Sequence, residues 1–309
     1  MTGWKYWLIM GIVFLIVGGA IVRLKREPLS RLRKTGLSTK SQFAEFLGKN
    51  RSTPPLPTPT ITPTPTLTPQ QIAEIQRKKF EEFNQKYGPC KYVPILMYHH
   101  VMPVDQAKAI LATNLNVPPE IFRQQMDYLI GKGYAVIDLD NLVAGLNGNF
   151  TFPSKSVVLT FDDGYRDFFD TVYPILIEKN LKATVFVISQ FVGGERYMEW
   201  WQIREAASSG LVLVGDHTLN HPYLTKLSEE ELKNQIVSAK NVIEQNLGTT
   251  VKFFAYPYGS ANSLAKEILK ENNFLGAVVT TNVNPQCKGL PFDLSRIRIG
   301  AGSLSRYGF

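Results

Sequence analysis

Two adjacent carboxylates and two closely spaced imidazoles carry most of the chemistry this sequence can do. Asp162 and Asp163 stand in Thr160-Phe161-Asp162-Asp163-Gly164, and His217 and His221 stand in Asp216-His217-Thr218-Leu219-Asn220-His221. Crowding two carboxylates together is unfavourable unless a cation or a proton-transfer role uses them. One carboxylate with two imidazoles makes a three-ligand metal site with positions open for water and substrate. Asp163, His217 and His221 are the predicted ligands, which leaves Asp162 to take a proton from the attacking water.

The elements that must position these groups alternate. Strand-like segments lie at Val93–Tyr98, Tyr134–Ile137, Val157–Thr160, Ala183–Ile188, Leu211–Gly215, Phe253–Tyr256 and Ala277–Thr281, with helical patterns near 119–131, 165–179, 198–209, 228–247 and 260–272. Apolar strands separated by amphipathic helices predict α/β architecture with a parallel sheet, and seven strands over this length fit a (β/α) barrel, complete or not. No dinucleotide fingerprint follows any strand, which argues against an open doubly wound sheet. Active sites of parallel α/β folds lie at the C-terminal strand ends. The chain has four histidines, and all of them, His99 and His100 included, follow predicted strands.

Charge excludes one class of partner. The 309 residues carry a formal +8. Residues 1–52 hold ten Lys/Arg and two Asp/Glu, so the remainder holds 24 of each and has no general nucleic-acid-binding charge. Two cysteines, Cys90 and Cys287, exclude a Cys-only zinc site. The sequence leaves open whether they pair or stay free. Residues 7–22 form an uncharged apolar run of 16, expected as a transmembrane anchor within residues 1–26. A basic and Pro/Thr-rich linker is expected over 27–69, with seven Pro and seven Thr in residues 53–69. Thr68-Pro69-Gln70-Gln71 predicts a helix start with a capping box, and Gly88-Pro89 predicts its stop. That places a linker helix at 70–89 and the catalytic domain at 90–309.

The motif Thr160-Phe161-Asp162-Asp163-Gly164, followed by His217-Thr218-Leu219-Asn220-His221, resembles the first two motifs of the NodB-like polysaccharide deacetylases, carbohydrate esterase family 4. The resemblance covers about Tyr92 to Arg298. It implies a distorted (β/α)7 barrel and a divalent metal, zinc first, with cobalt, nickel or iron as alternatives. It further implies removal of acetyl groups from N-acetylglucosamine polymers, with Asp162 as base and Asp163, His217 and His221 as ligands. Phe254-Ala255-Tyr256-Pro257-Tyr258-Gly259 resembles the third motif, whose aromatic residue lines the groove and whose backbone N–H meets the oxyanion; this implies substrate contacts for Tyr256, Pro257 and Tyr258. Many members have Arg two residues before that Pro, paired with the base, where this chain has Ala255. Arg296 or Arg298 is the predicted substitute, and both are also expected to contact substrate. Pro94-Ile95-Leu96-Met97-Tyr98-His99-His100-Val101 is similar to the poly-N-acetylglucosamine deacetylase branch, where the acid histidine comes from the first strand; His99 matches it ahead of His100.

These readings predict a metal-dependent N-deacetylase acting on an N-acetylglucosamine polysaccharide, with no obligate protein partner. An inactive carbohydrate-binding barrel and a non-haem iron oxygenase are the competing classes; the latter leaves Asp162 without a role. Trp200 and Trp201 are candidates for stacking on sugar rings. A deacetylase on a Pro/Thr stalk predicts an anchored protein whose catalytic domain lies outside the membrane.

Overall fold

Apolar runs that are buried on both faces and separated by helices have one economical arrangement, and the chain adopts it. The structure, a computed structural model, describes residues 68–281 and 285–309. The strands are β1 (Cys90–Lys91), β2 (Ile95–Tyr98), β3 (Ala135–Ile137), β4 (Ser156–Phe161), β5 (Ala183–Val187), β6 (Val212–Asp216), β7 (Phe253–Ala255), β8 (Gly276–Val278), β9 (Gln286–Cys287) and β10 (Ile297–Arg298). Eight of them form one parallel sheet in the order β10-β2-β4-β5-β6-β7-β8, with β3 beside the first half of β4. Helices pack against it, and the result is an α/β half-barrel of parallel strands. β4 and β5 are buried at every position, as strands covered on both faces must be.

One segment spans the two free edges of this half-barrel. Residues 291–294 run beside β8, where the Ala277 N–H donates to Pro291 O (2.8 Å) and the Val279 N–H to Leu294 O (2.9 Å). Three residues further on, β10 pairs with β2, Ile297 opposite Leu96 and Arg298 opposite Met97. The same segment is held from behind by β9, which pairs antiparallel with β1 and joins Cys287 to Cys90 in a disulfide. The cysteines therefore pair, which their spacing left open.

All seven predicted strands are present, within a few residues. The helix Pro69–Tyr87 starts as its capping box predicts: Thr68 Oγ1 accepts the Gln71 N–H (3.2 Å) and Gln71 Oε1 accepts the Thr68 N–H (2.8 Å). Helices Val104–Ala109 and Leu139–Leu146 were not predicted, being too short for a periodic pattern to stand out. Asp138 fixes the second by accepting the Asn141 N–H at 2.7 Å.

The expected membrane localisation requires correction. Among the described residues no helix is long and apolar enough to cross a membrane. The run at 7–22, on which that expectation rested, lies outside the described residues, as do the 1–26 segment and all but the end of the 27–69 linker.

Candidate active site

The C-terminal ends of β4 and β6 bring the two motifs together. β4 ends at Phe161, and the next N–H, that of Asp162, donates to Tyr98 O at 3.0 Å. β6 ends at Asp216, and the His217 N–H donates to Val187 O, also at 3.0 Å. Past these points the backbone turns sharply. Asp163, Thr218, His221 and Tyr258 all have positive φ, four of the seven non-glycine residues that do so among the described residues. Backbone strain concentrated at one place points to a functional centre.

Asp163, His217 and His221 offer ligand atoms that lie within 4.8 Å of one another. Asp163 Oδ1 is 3.3 Å from His217 Nε2 and 3.5 Å from His221 Nε2, yet it is buried with no hydrogen-bond partner. A buried carboxylate oxygen left in that state is stabilised by a cation between the three groups. His217 is aimed by its other nitrogen: Nδ1 stands 2.7 Å from Ala255 O, which can only accept, so a proton sits on Nδ1 and Nε2 is the atom turned toward Asp163. Burial pushes His221 down to about 4, reinforced by the charge of His217, and so favours the neutral ring a metal needs. Burial opposes the charge on Asp163, but His217 beside it outweighs that and holds the carboxyl well below the usual range. This donor set fits a divalent cation such as zinc.

Asp162 is held differently. Arg296, fully buried, donates from Nη1 to Oδ1 (2.6 Å) and from Nη2 to Oδ2 (2.7 Å), a bidentate pair. Two of the other three guanidinium hydrogens reach Val279 O and Thr160 Oγ1, both at 3.2 Å. Burial pushes the Asp162 pKa up, and the charge and hydrogen bonds of Arg296 more than reverse this, so the carboxylate stays ionised. The partner missing at Ala255 thus arrives from the segment just before β10. One expectation is corrected here: Arg296 is not a substrate contact, because it is fully buried and does not line the cavity over the site.

A cavity of about 680 Å³ opens over these groups, lined by His99, Asp162, Asp163, His217, His221 and Arg298 together with Tyr165, Phe191, Tyr197, Tyr256 and Tyr258. His99 faces it from the end of β2. His100 does not: its Nδ1 is 3.0 Å from Asp167 Oδ1, its ring stacks on Tyr165 at 3.7 Å, and it is buried. Tyr258 is 54% exposed at the rim, stacked on Tyr223 at 3.9 Å and edge-on to His221 at 4.5 Å. Tyr256 is a buried wall whose hydroxyl donates to Phe292 O, and Pro257 is buried in the turn between the two tyrosines.

Residues 150–277 match the family model for polysaccharide deacetylase. The solved deacetylase PplD of Streptococcus pyogenes is 32% identical and superposes with a TM-score of 0.61, over 67% of this chain and 92% of that one. The chain belongs to the polysaccharide deacetylase family. It is accordingly a hydrolase, and curated relatives extend the comparison. The poly-beta-1,6-N-acetyl-D-glucosamine N-deacetylase of Escherichia coli K12 is 26% identical over 199 residues, 51% of this chain but 30% of that protein. The peptidoglycan-N-acetylglucosamine deacetylase of Bacillus cereus is 32% identical over 125 residues, 40% of this chain and 44% of that one.

Sequence reasoning about the deacetylase missed the aromatic side of the cavity. Tyr165 and Tyr197 stack at 5.2 Å, and Phe191 packs on Tyr197 at 5.1 Å. Tyr165 directly follows the Asp-Asp-Gly turn, which was the signal available; Tyr197 lies in a loop without a pattern. The tryptophans named for sugar stacking do not line the cavity: Trp201 packs edge-on against Phe169 and Trp200 joins the core.

Proposed function

We propose that the deacetylase hydrolyses the N-acetyl groups of N-acetylglucosamine residues in a polysaccharide, by a reaction that depends on a divalent metal. The observation that carries the reading is the ionised, Arg296-clamped Asp162 next to a carboxylate and two imidazoles with one unpartnered oxygen among them. Asp163, His217 and His221 would hold the metal, zinc first and cobalt, nickel or iron otherwise, which when bound polarises the acetamide carbonyl and acidifies water.

The chain's own residues do the rest. Asp162 accepts the proton of the attacking water, and Arg296 keeps that carboxylate ionised and fixes its direction. The Tyr258 backbone N–H is assigned to the oxyanion as it develops. His99 gives a proton to the departing amine. Burial and the nearby arginines push its pKa down and Asp162 and Asp163 pull it up, the net being a depressed value and thus a stronger acid. The products are acetate and a glucosamine residue that is cationic at neutral pH. We assign this chemistry to residues 90–309.

Arg296 favours an active enzyme over an inactive carbohydrate-binding barrel, because it supplies the charge that Ala255 lacks. The oxygenase reading gives Asp162 no work. The test is acetate release from N-acetylglucosamine oligomers by the full chain, stripped of metal and reloaded, with Asp162→Asn as control. Metal-restored release that is absent in the control is expected. No release on any amino-sugar polymer, with metal bound and the fold intact, overturns the reading.

A further inference from the structure

Arg296 and Arg298 alternate along the segment that ends in β10, and a strand sends alternate side chains to the same face. Their situations differ in kind. Arg296 is consumed by Asp162 deep in the barrel. Arg298, ~7 Å further toward the mouth by strand geometry, is exposed and lines the cavity beside Met97 and His99. Its hydrogen bond goes to the Asn114 backbone carbonyl at 3.3 Å, and among the described residues it forms no salt bridge.

Arg298 is the one Lys or Arg side chain lining the cavity among the described residues. A second cation stands outside the lining: Lys226 lies 4.7 Å from the ring of Tyr223, which stacks on Tyr258. The acidic side chains lining the cavity are Asp162 and Asp163, the first neutralised by Arg296 and the second facing the two imidazoles. A guanidinium held at the mouth with no carboxylate leaves its planar fork open to a ligand. Its match is a carboxylate or phosphate, which it can bind through two parallel hydrogen bonds. A neutral polymer offers nothing of that charge.

We propose that Arg298 binds an anionic group, carboxylate or phosphate, on the sugar flanking the N-acetylglucosamine under attack, so that the preferred substrate is an anionic amino-sugar polymer. The inference rests on the deacetylase reading of the same site. Arg298 is exposed on the cavity lining while Asp162 and Asp163 are buried, so a residue whose acetamide reaches the carboxylates leaves its neighbour to meet the guanidinium.

The test uses the full chain loaded with zinc and four oligomers of equal length. One is neutral oligo-N-acetylglucosamine; one carries a carboxymethyl ether on the flanking sugar; one carries the methylamide of that ether; one carries a phosphate ester at the same place. kcat/KM for acetate release is compared between wild type, Arg298→Gln and Arg298→Lys. The expected result is a preference of about tenfold or more for one of the two anionic oligomers over its neutral counterpart, as a charge-assisted bidentate contact supplies. That preference shrinks toward unity in Arg298→Gln, returns in part in Arg298→Lys and weakens with added salt. Which anionic arm is preferred identifies the group. Equal kcat/KM for all four oligomers in the wild type, or the same proportional loss for all of them in Arg298→Gln, overturns the proposal. If no oligomer releases acetate, the deacetylase reading fails separately, and calorimetric binding of the same oligomers decides. Tighter binding of an anionic oligomer that is lost in Arg298→Gln supports the anion site, and equal affinities overturn it.

Discussion

At the scale of single residues, Asp162 depends on one guanidinium. Removing one partner of a buried ion pair strands the other, so Arg296→Ala is expected to lower stability by about 3–5 kcal/mol in denaturant titrations and to abolish acetate release. Arg296→Lys keeps the charge but not the two parallel hydrogen bonds, and should fold while losing about tenfold or more in kcat. The two adjacent histidines should separate cleanly. His99→Ala is expected to lower acetate release by about 10²–10⁴-fold with metal content unchanged, as loss of a general acid does. His100→Ala breaks contacts with Asp167 and Tyr165 and should act mainly on the melting temperature. Asp163→Ala or His217→Ala should lose metal on dialysis, measured by elemental analysis, with the fold retained.

At the scale of elements, the site hangs on tight turns. Gly259 has φ +69°, and an added Cβ would meet Thr280 Oγ1 and lie 3.1 Å from Thr280 N. Gly259→Ala therefore combines backbone strain with a clash, an expected cost of about 1–3 kcal/mol. Because it displaces Tyr258, acetate release should fall by more than the melting temperature suggests. The strands and the two ligand motifs were legible in the sequence because each is local: a run of apolar residues, or a few polar ones at its end. The source of the arginine was legible only as a choice between Arg296 and Arg298. Nothing in the spacing around Ala255 says which of them reaches Asp162; that depends on how deep in the fold the segment entering β10 places each, Arg296 fully buried and Arg298 exposed. The aromatic cavity wall was hidden for the same reason, since Tyr165 and Tyr197 meet only across a loop. The short helices escaped because they offer too few turns to show a period.

At the scale of the whole molecule, two ties cross long stretches of chain. The Cys90–Cys287 bond spans 197 residues. Breaking it with Cys90→Ser frees a loop of that length in the unfolded chain, an expected loss of about 3–5 kcal/mol, checked by denaturant titration of oxidised and reduced protein. Metal should tie the β4 and β6 ends in the same way, so that zinc at 100 times its dissociation constant raises stability by about 2.7 kcal/mol and a chelator reverses this. The second tie, from Asp162 to Arg296, is 134 residues long. A ribosome makes the base and both imidazole ligands well before it makes the base's partner. A growing chain that has just passed residue 221 holds all three candidate metal ligands, but neither the Ala255 carbonyl that orients His217 nor the arginine that holds Asp162. Competence for hydrolysis is therefore expected to arrive late in synthesis, once residue 296 has been made.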